Sequence, residues 1–347
     1  MALPFQPACL PLLLGALPHP SPGQALELTR RYAGALLSWP RLPQRAFGEQ
    51  SLAQSAAGFP GLVVDQARSH VHVDRELAEL ALEELGLAYL ENDLERGSLT
   101  AEDAAGLAEL LRQADTLRGV LAVKGQLLGP VSMATQLTDE QLRPLVYDEI
   151  LSEALAQHLY LRAAWLDHTL HKVADTVIVC LDEPFLDVVG MPFLPLDWDQ
   201  ARERLEMVLA GVTGCRAIFG GGAVDWAEVL QTSVELIIAD VYSYGHALTA
   251  ASAALPAFLD RGGHVGLGLV PHDEDALALV SADTLVRRAR SLLRELETAG
   301  VEGQLLLRQA VVSTSGSLGQ LSTTAAERAL QLLGEVSQQL REQYRLT

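Results

Sequence analysis

The residues best suited to chemistry stand where short apolar runs end. Val177–Leu181 is continuously apolar and delivers two adjacent carboxylates, Asp182 and Glu183, before Pro184 stops it. A carboxylate at such a place can bind a substrate amine or act as a general base; the plainer alternative is a helix cap or a salt bridge to a neighbouring strand. Lys124 also closes an apolar run, and an ammonium there must be paired or face a ligand, so pairing with Asp182 or Glu183 is expected. Gly220-Gly221-Gly222 follows another apolar run and permits close backbone approach by a ligand, or simply a tight turn. It has no P-loop lysine, which makes a phosphate cradle a weak reading.

The histidines and cysteines carry less. His168 and His171 are spaced i, i+3, and His70 and His72 i, i+2, but neither pair has an acidic ligand at matching spacing, so both read as surface or structural. Cys9, Cys180 and Cys215 are too scattered for a disulfide scaffold and too few for an all-cysteine zinc site. Among 347 residues, 25 Lys+Arg against 44 Asp+Glu give a net charge of −19, which argues against nucleic acid and anionic membranes as partners. The apolar run 10–17 is short, lacks a preceding basic residue and contains Pro11, unlike a signal peptide. No stretch is long enough to span a bilayer, and a cytoplasmic setting is expected.

The elements that must position these residues alternate. Leu12–Leu17 reads as a first strand, followed by helical spacing over Ser21–Leu37. Gly61–Asp65 and His70–Asp74 form a hairpin; Arg75–Asn92 and Ala101–Ala114 are helices, the second capped by Thr100. Gly119–Lys124 is a strand and Pro144–Val173 a long helix. Strands at Thr176–Leu181, Cys215–Phe219, Glu235–Ala239, His264–Val270 and Gln304–Val312 then alternate with helices at Trp198–Val212, Trp226–Thr232, His246–Leu259, Ala282–Ala299 and Thr323–Tyr344. Continuous apolar strands are buried on both faces, as in parallel sheets. Seven strands in βα units predict a (β/α)8 TIM barrel over a single domain, 1–347, with an N-terminal hairpin and helical insertion; the eighth strand is expected between Ser51 and Ala114. No G-x-G-x-x-G follows an early strand, which disfavours an open dinucleotide-binding sheet.

Active sites of such barrels lie at the C-terminal ends of the strands. The residues there include His19, Lys124 with Gln126, Asp182 with Glu183, Asp240 with Tyr242, His272 and Ser315. These nine are the candidate substrate-binding residues.

The ordered rim motifs resemble the cobalamin-independent methionine synthase family, in particular its short single-barrel members, within the superfamily that includes uroporphyrinogen decarboxylase. The resemblance rests on Gly15-Ala16-Leu17-Pro18-His19, Trp39-Pro40-Arg41-Leu42-Pro43, Gly58-Phe59-Pro60-Gly61, Val123-Lys124-Gly125-Gln126-Leu127-Leu128-Gly129-Pro130, Leu181-Asp182-Glu183-Pro184, Val224-Asp225-Trp226, Gly262-Gly263-His264, Gly268-Leu269-Val270-Pro271 and Leu318-Gly319. It implies methyl transfer to a thiol activated by zinc, with a His-x-Cys pair, a carboxylate and a later cysteine as ligands. The sequence departs from that pattern. Phe219 stands at the histidine position, Gly220 or Gly221 at the first cysteine and Gly316 at the second; Asp240 is the one ligand position retained. A shifted register through Cys215 would place that thiol at the start of its strand, roughly 13 Å from the rim at about 3.3 Å per residue. No cofactor is therefore expected, and zinc only if the register is wrong.

Three functions follow as expectations. The first is a methionine synthase-like methyltransferase barrel that binds a small amino-acid or thiol substrate without zinc-thiolate chemistry, with Asp182 holding the substrate's amino group as the resemblance implies. The second is a non-catalytic degenerate homologue acting as a partner subunit. The third is a metal-free uroporphyrinogen decarboxylase-like lyase, which needs arginines for propionates. A small molecule is the expected partner, and a corrinoid or protein partner is compatible with the first two.

Overall fold

A computed structural model describes residues Leu3–Leu346. Eight parallel strands close into a barrel: Leu10–Leu12, Leu36–Ser38, Ala122–Leu128, Val177–Glu183, Cys215–Gly220, Leu236–Ala239, His264–Val270 and Ala310–Thr314. Each pairs with its predecessor in the chain, and the eighth pairs with the first, so the (β/α)8 expectation holds. Helices cover the barrel wall, the longest being Glu149–Leu170 and Thr323–Tyr344.

Side-chain period sorts the strands into two apolar clusters. Ile178 and Cys180 join Leu12, Leu36, Ala122, Ala217, Phe219, Leu236, Ile238 and Val311 inside the barrel. Val177, Val179 and Leu181 face the helices with Val123, Ile218, Ile237, Val265 and Val312. Adjacent carboxylates on one strand therefore diverge: Asp182 follows the inward set and Glu183 the outward set.

Glu183 is fully buried and accepts hydrogen bonds from the amides of Val131 (3.0 Å) and Ser132 (2.7 Å), in the first turn of helix Pro130–Gln136. It braces that helix against the fourth strand, the cap reading of this residue. The fit is tight at Gly129, where a Cβ would lie 2.2 Å from the Glu183 carboxylate.

Several boundaries differ from the sequence expectation. The strand missing from the sequence count is not between Ser51 and Ala114. It is Leu36–Ser38, at the end of the helical-looking run 21–37; helix Pro22–Ala33 stops at Gly34, and three buried residues are too short to show a period. The first strand is Leu10–Leu12; three residues beyond its end the chain turns at Gly15, whose φ of +78° and close approach to Ser317 exclude a side chain. The third strand runs on to Leu128, which puts Lys124 within it instead of at its end. The apolar run Gln304–Val312 divides into helix Gly303–Arg308 and the eighth strand. The helix expected over Ala101–Ala114 begins at Ala105; Thr100 caps the preceding turn through the Asp103 amide (3.2 Å).

The expected hairpin is present as Leu62–Asp65 with His70–Val73, widened by a third short strand, Thr138–Asp139. Among the described residues, no helix is long and apolar enough to cross a membrane.

Burial is the main force on Glu183, pushing its carboxyl up to about 7 against the pull of its two amide donors. Its folded value lies above its ordinary 4.5, so stability from this group is complete below about pH 4.5 and is lost as pH rises through 7. Urea unfolding from pH 4.5 to 8 should show this loss, on the order of 1–3 kcal/mol. Glu183→Gln should flatten that part of the curve while lowering stability at acid pH, because one amide loses its acceptor. An unchanged pH slope in the variant would contradict the assignment.

Candidate functional site

Residues at or after the ends of all eight strands enclose a cavity of about 700 Å3 at the C-terminal end of the barrel. Its acidic and basic wall residues are Arg41, Glu49, Asp182, Asp240 and His272. Register sets their level: Leu128 pairs with Asp182, and Asp182 with Phe219, so the third, fourth and fifth strands end together at the cavity floor.

Asp182 is buried, and its partner is Arg41, whose Nη2 donates to Oδ2 at 2.7 Å. Arg41 Nη1 donates to Ser51 Oγ (2.9 Å), while its buried Nε has no partner. The pairing of Lys124 with Asp182 or Glu183 is thus corrected. Lys124 Nζ bonds the Gln126 side chain, two residues along on the same inward face. Burial pulls the Lys124 ammonium below its ordinary range, offset in part by Cys180 and Asp182. Gln126 is itself engaged with Gly15, accepting from its amide at 3.0 Å and donating to its carbonyl.

On the opposite wall, Ser315 Oγ lies 2.8 Å from His272 Nδ1. Ser315 is buried, and its amide is anchored to the Val270 carbonyl at 2.7 Å. The hydroxyl thereby fixes one imidazole nitrogen and leaves Nε2 as the ring's free nitrogen. Asp240 accepts from the Ser243 amide (2.9 Å) and caps helix Val241–Ala250. Burial raises its carboxyl above the ordinary range, opposed by the Ser243 bonds and the nearby His272.

Of the nine sequence candidates, Asp182, Asp240, His272 and Ser315 line this cavity. The other five lie outside its wall. Lys124 and Gln126 are buried in the barrel wall beneath it, and Glu183 faces the helices. His19 is buried near Glu327 of the last helix, 3.4 Å away, and the Tyr242 ring packs under Arg288. Wall residues that the candidates missed include Arg41, Glu49, Ser51 and Tyr244. Arg41 follows Pro40 on the segment after the unrecognised second strand, so it stood only within a motif of the family resemblance and not among the site residues. Tyr244 lies two residues beyond Tyr242, where a non-helical backbone kinks the helix.

The zinc implied by the family resemblance can be tested against the donors present. Phe219 contributes a ring and no donor. At Gly316, a Cβ would meet the His272 ring at 2.8–2.9 Å, so the imidazole fills the space a side chain would enter. At Gly221, a Cβ would press on Pro184 at 3.2 Å. Cys180 and Cys215 are buried inside the barrel, with thiols pushed up to about 12 and above by desolvation. Among the described residues, no group of three or more His, Cys, Asp or Glu is arranged to hold a metal. The residues at these positions do not fit a zinc site.

No protein-family model matches the chain, and no curated protein does. Solved structures do share the fold. A B12-independent methionine synthase from Shewanella sp. W3-18-1, in complex with selenomethionine, superposes with a TM-score of 0.60 at 16% identity, over 96% of this chain and 98% of that one. A methyltransferase from Methanosarcina mazei superposes with a TM-score of 0.56 at 12% identity, over 96% and 94%. At these identities the likeness establishes the barrel and its arrangement of elements.

Breaking the Arg41–Asp182 pair from one side leaves a buried carboxylate unpaired. Arg41→Met should cost about 3–5 kcal/mol in urea unfolding. Arg41→Met combined with Asp182→Leu should recover most of that loss. Additive effects of the two changes would show that the pair is not coupled.

Proposed function

We propose that the rim cavity binds a small amino acid or thiol compound, as a methionine synthase-like methyltransferase barrel that works without zinc-thiolate chemistry. The observation that carries this reading is the Arg41–Asp182 pair on the cavity wall. A guanidinium beside a carboxylate fits a zwitterion: Arg41 for the ligand's carboxylate, Asp182 for its ammonium. The Shewanella methionine synthase structure holds selenomethionine, a ligand of this class, in the same barrel type. His272, held by Ser315, is the group placed to exchange a proton with a bound thiol. A methyl donor, on a corrinoid or protein partner, would approach from the open rim. The three free, buried cysteines suit a cytoplasmic setting.

A second reading, a non-catalytic partner subunit, draws on Phe219 and the glycines at the ligand positions. The third, a uroporphyrinogen decarboxylase-like lyase, is disfavoured because Arg41 is the sole Lys or Arg among the described residues lining the cavity.

Calorimetry in EDTA with homocysteine, methionine and their analogues separates these. Binding should be saturable and fall at least tenfold in Asp182→Ala. Heat with none of them, from a folded protein, would overturn the ligand class. Binding without methyl transfer to any thiol would favour the partner-subunit reading.

A further inference from the structure

A second, much smaller cavity lies behind the third strand, between helix Glu149–Leu170 and the segment that carries Arg41. It measures about 10 Å3, and a cavity needs roughly that much space for one water-sized sphere. Its walls include Trp39, Arg162, Leu99, Leu127 and Leu166, and no Asp or Glu lines it.

Its donors are unmatched. Arg162 is 2% exposed, and its Nε and Nη1 have no hydrogen-bond partner; Nη2 alone is engaged, with the Ala57 carbonyl. Trp39, 1% exposed, has an unpartnered Nε1. The polar neighbours Gln126, Ser55 and Gln54 are engaged elsewhere, Gln126 with Gly15 and Lys124, Ser55 Oγ with the Leu128 amide at 2.9 Å, and Gln54 Nε2 with the Asp103 carbonyl at 2.6 Å. No carboxylate forms a salt bridge with Arg162 among the described residues. Asp103, the acid whose charge reaches it, hydrogen-bonds its own Thr100 hydroxyl at 2.7 Å. Burial lowers the Arg162 guanidinium to about 10, which still leaves it charged at neutral pH.

A buried cation with no counter-ion is costly. Water would satisfy the donors but would leave the charge. A tetrahedral oxyanion is too large for one sphere. We propose that this cavity is a binding site for a single monoatomic anion of the chloride class, held by Arg162 Nε and Nη1 and by Trp39 Nε1. Trp39 is two residues from Arg41, so the anion ties the long helix to the segment that presents the cavity's guanidinium.

The test is crystallographic and thermal. Crystals grown in sodium bromide should show one bromine anomalous peak in contact with Arg162 and Trp39. In solution, replacing sodium acetate by sodium chloride at constant ionic strength should raise the melting temperature by about 4 °C. Arg162→Met should lose that chloride dependence. If this variant does not fold, the bromide map of the native protein decides alone. No anomalous peak in the cavity, with density that fits a water, would overturn the proposal. A chloride response that survives intact in Arg162→Met would overturn it too.

Discussion

The rim cavity depends on one contact between opposite charges taken out of water, that of Arg41 with Asp182. The carboxylate is fixed by strand register, since Asp182 lies opposite Leu128 on one side and Phe219 on the other. The guanidinium arrives on an irregular segment that no ladder positions, apart from a single bridge between Arg41 and Ala16. Desolvation makes each charge unfavourable alone, so the segment is held where the two can meet. Glu49 locks the same segment by accepting from the Leu42 amide at 2.9 Å and from Arg45 at 2.7 Å.

The opposite wall carries the part of our proposal that replaces a metal. Zinc activates a thiol by charge, and it needs about four ligands of suitable softness. Here the His272 ring occupies the space beside Gly316, and Phe219 faces the barrel interior. In our proposal a hydrogen-bonded imidazole provides proton exchange where a metal would have provided acidity. That exchange demands less of the fold: one ring, one serine, and a glycine small enough to admit the ring.

Much of this architecture was legible in the chain. Buried parallel strands announce themselves by continuous apolar runs, and four of the eight, the fourth to the seventh, match their true places closely. The second strand was hidden because three residues carry no period, and Arg41, though part of a resemblance motif, was therefore not chosen as a site residue. The Asp182-Glu183 pair shows the limit differently. Both residues stood out, but only the two-residue alternation, counted from the strand's true register, tells which one faces the cavity. Lys124 was misplaced for a related reason: its strand continues past the ammonium to Leu128, and Gln126 on the same strand satisfies Lys124 inside the barrel. Partners far apart in sequence, such as Ser315 with His272, leave no local trace.

The central claim is that this cavity works through its own charges and an imidazole instead of a bound metal. Elemental analysis of protein purified from zinc-supplemented cells, without chelators, tests it most directly. The account predicts no stoichiometric zinc, cobalt or iron. One tightly held zinc per chain, lost on Asp240→Ala, would contradict it and restore the zinc-thiolate reading.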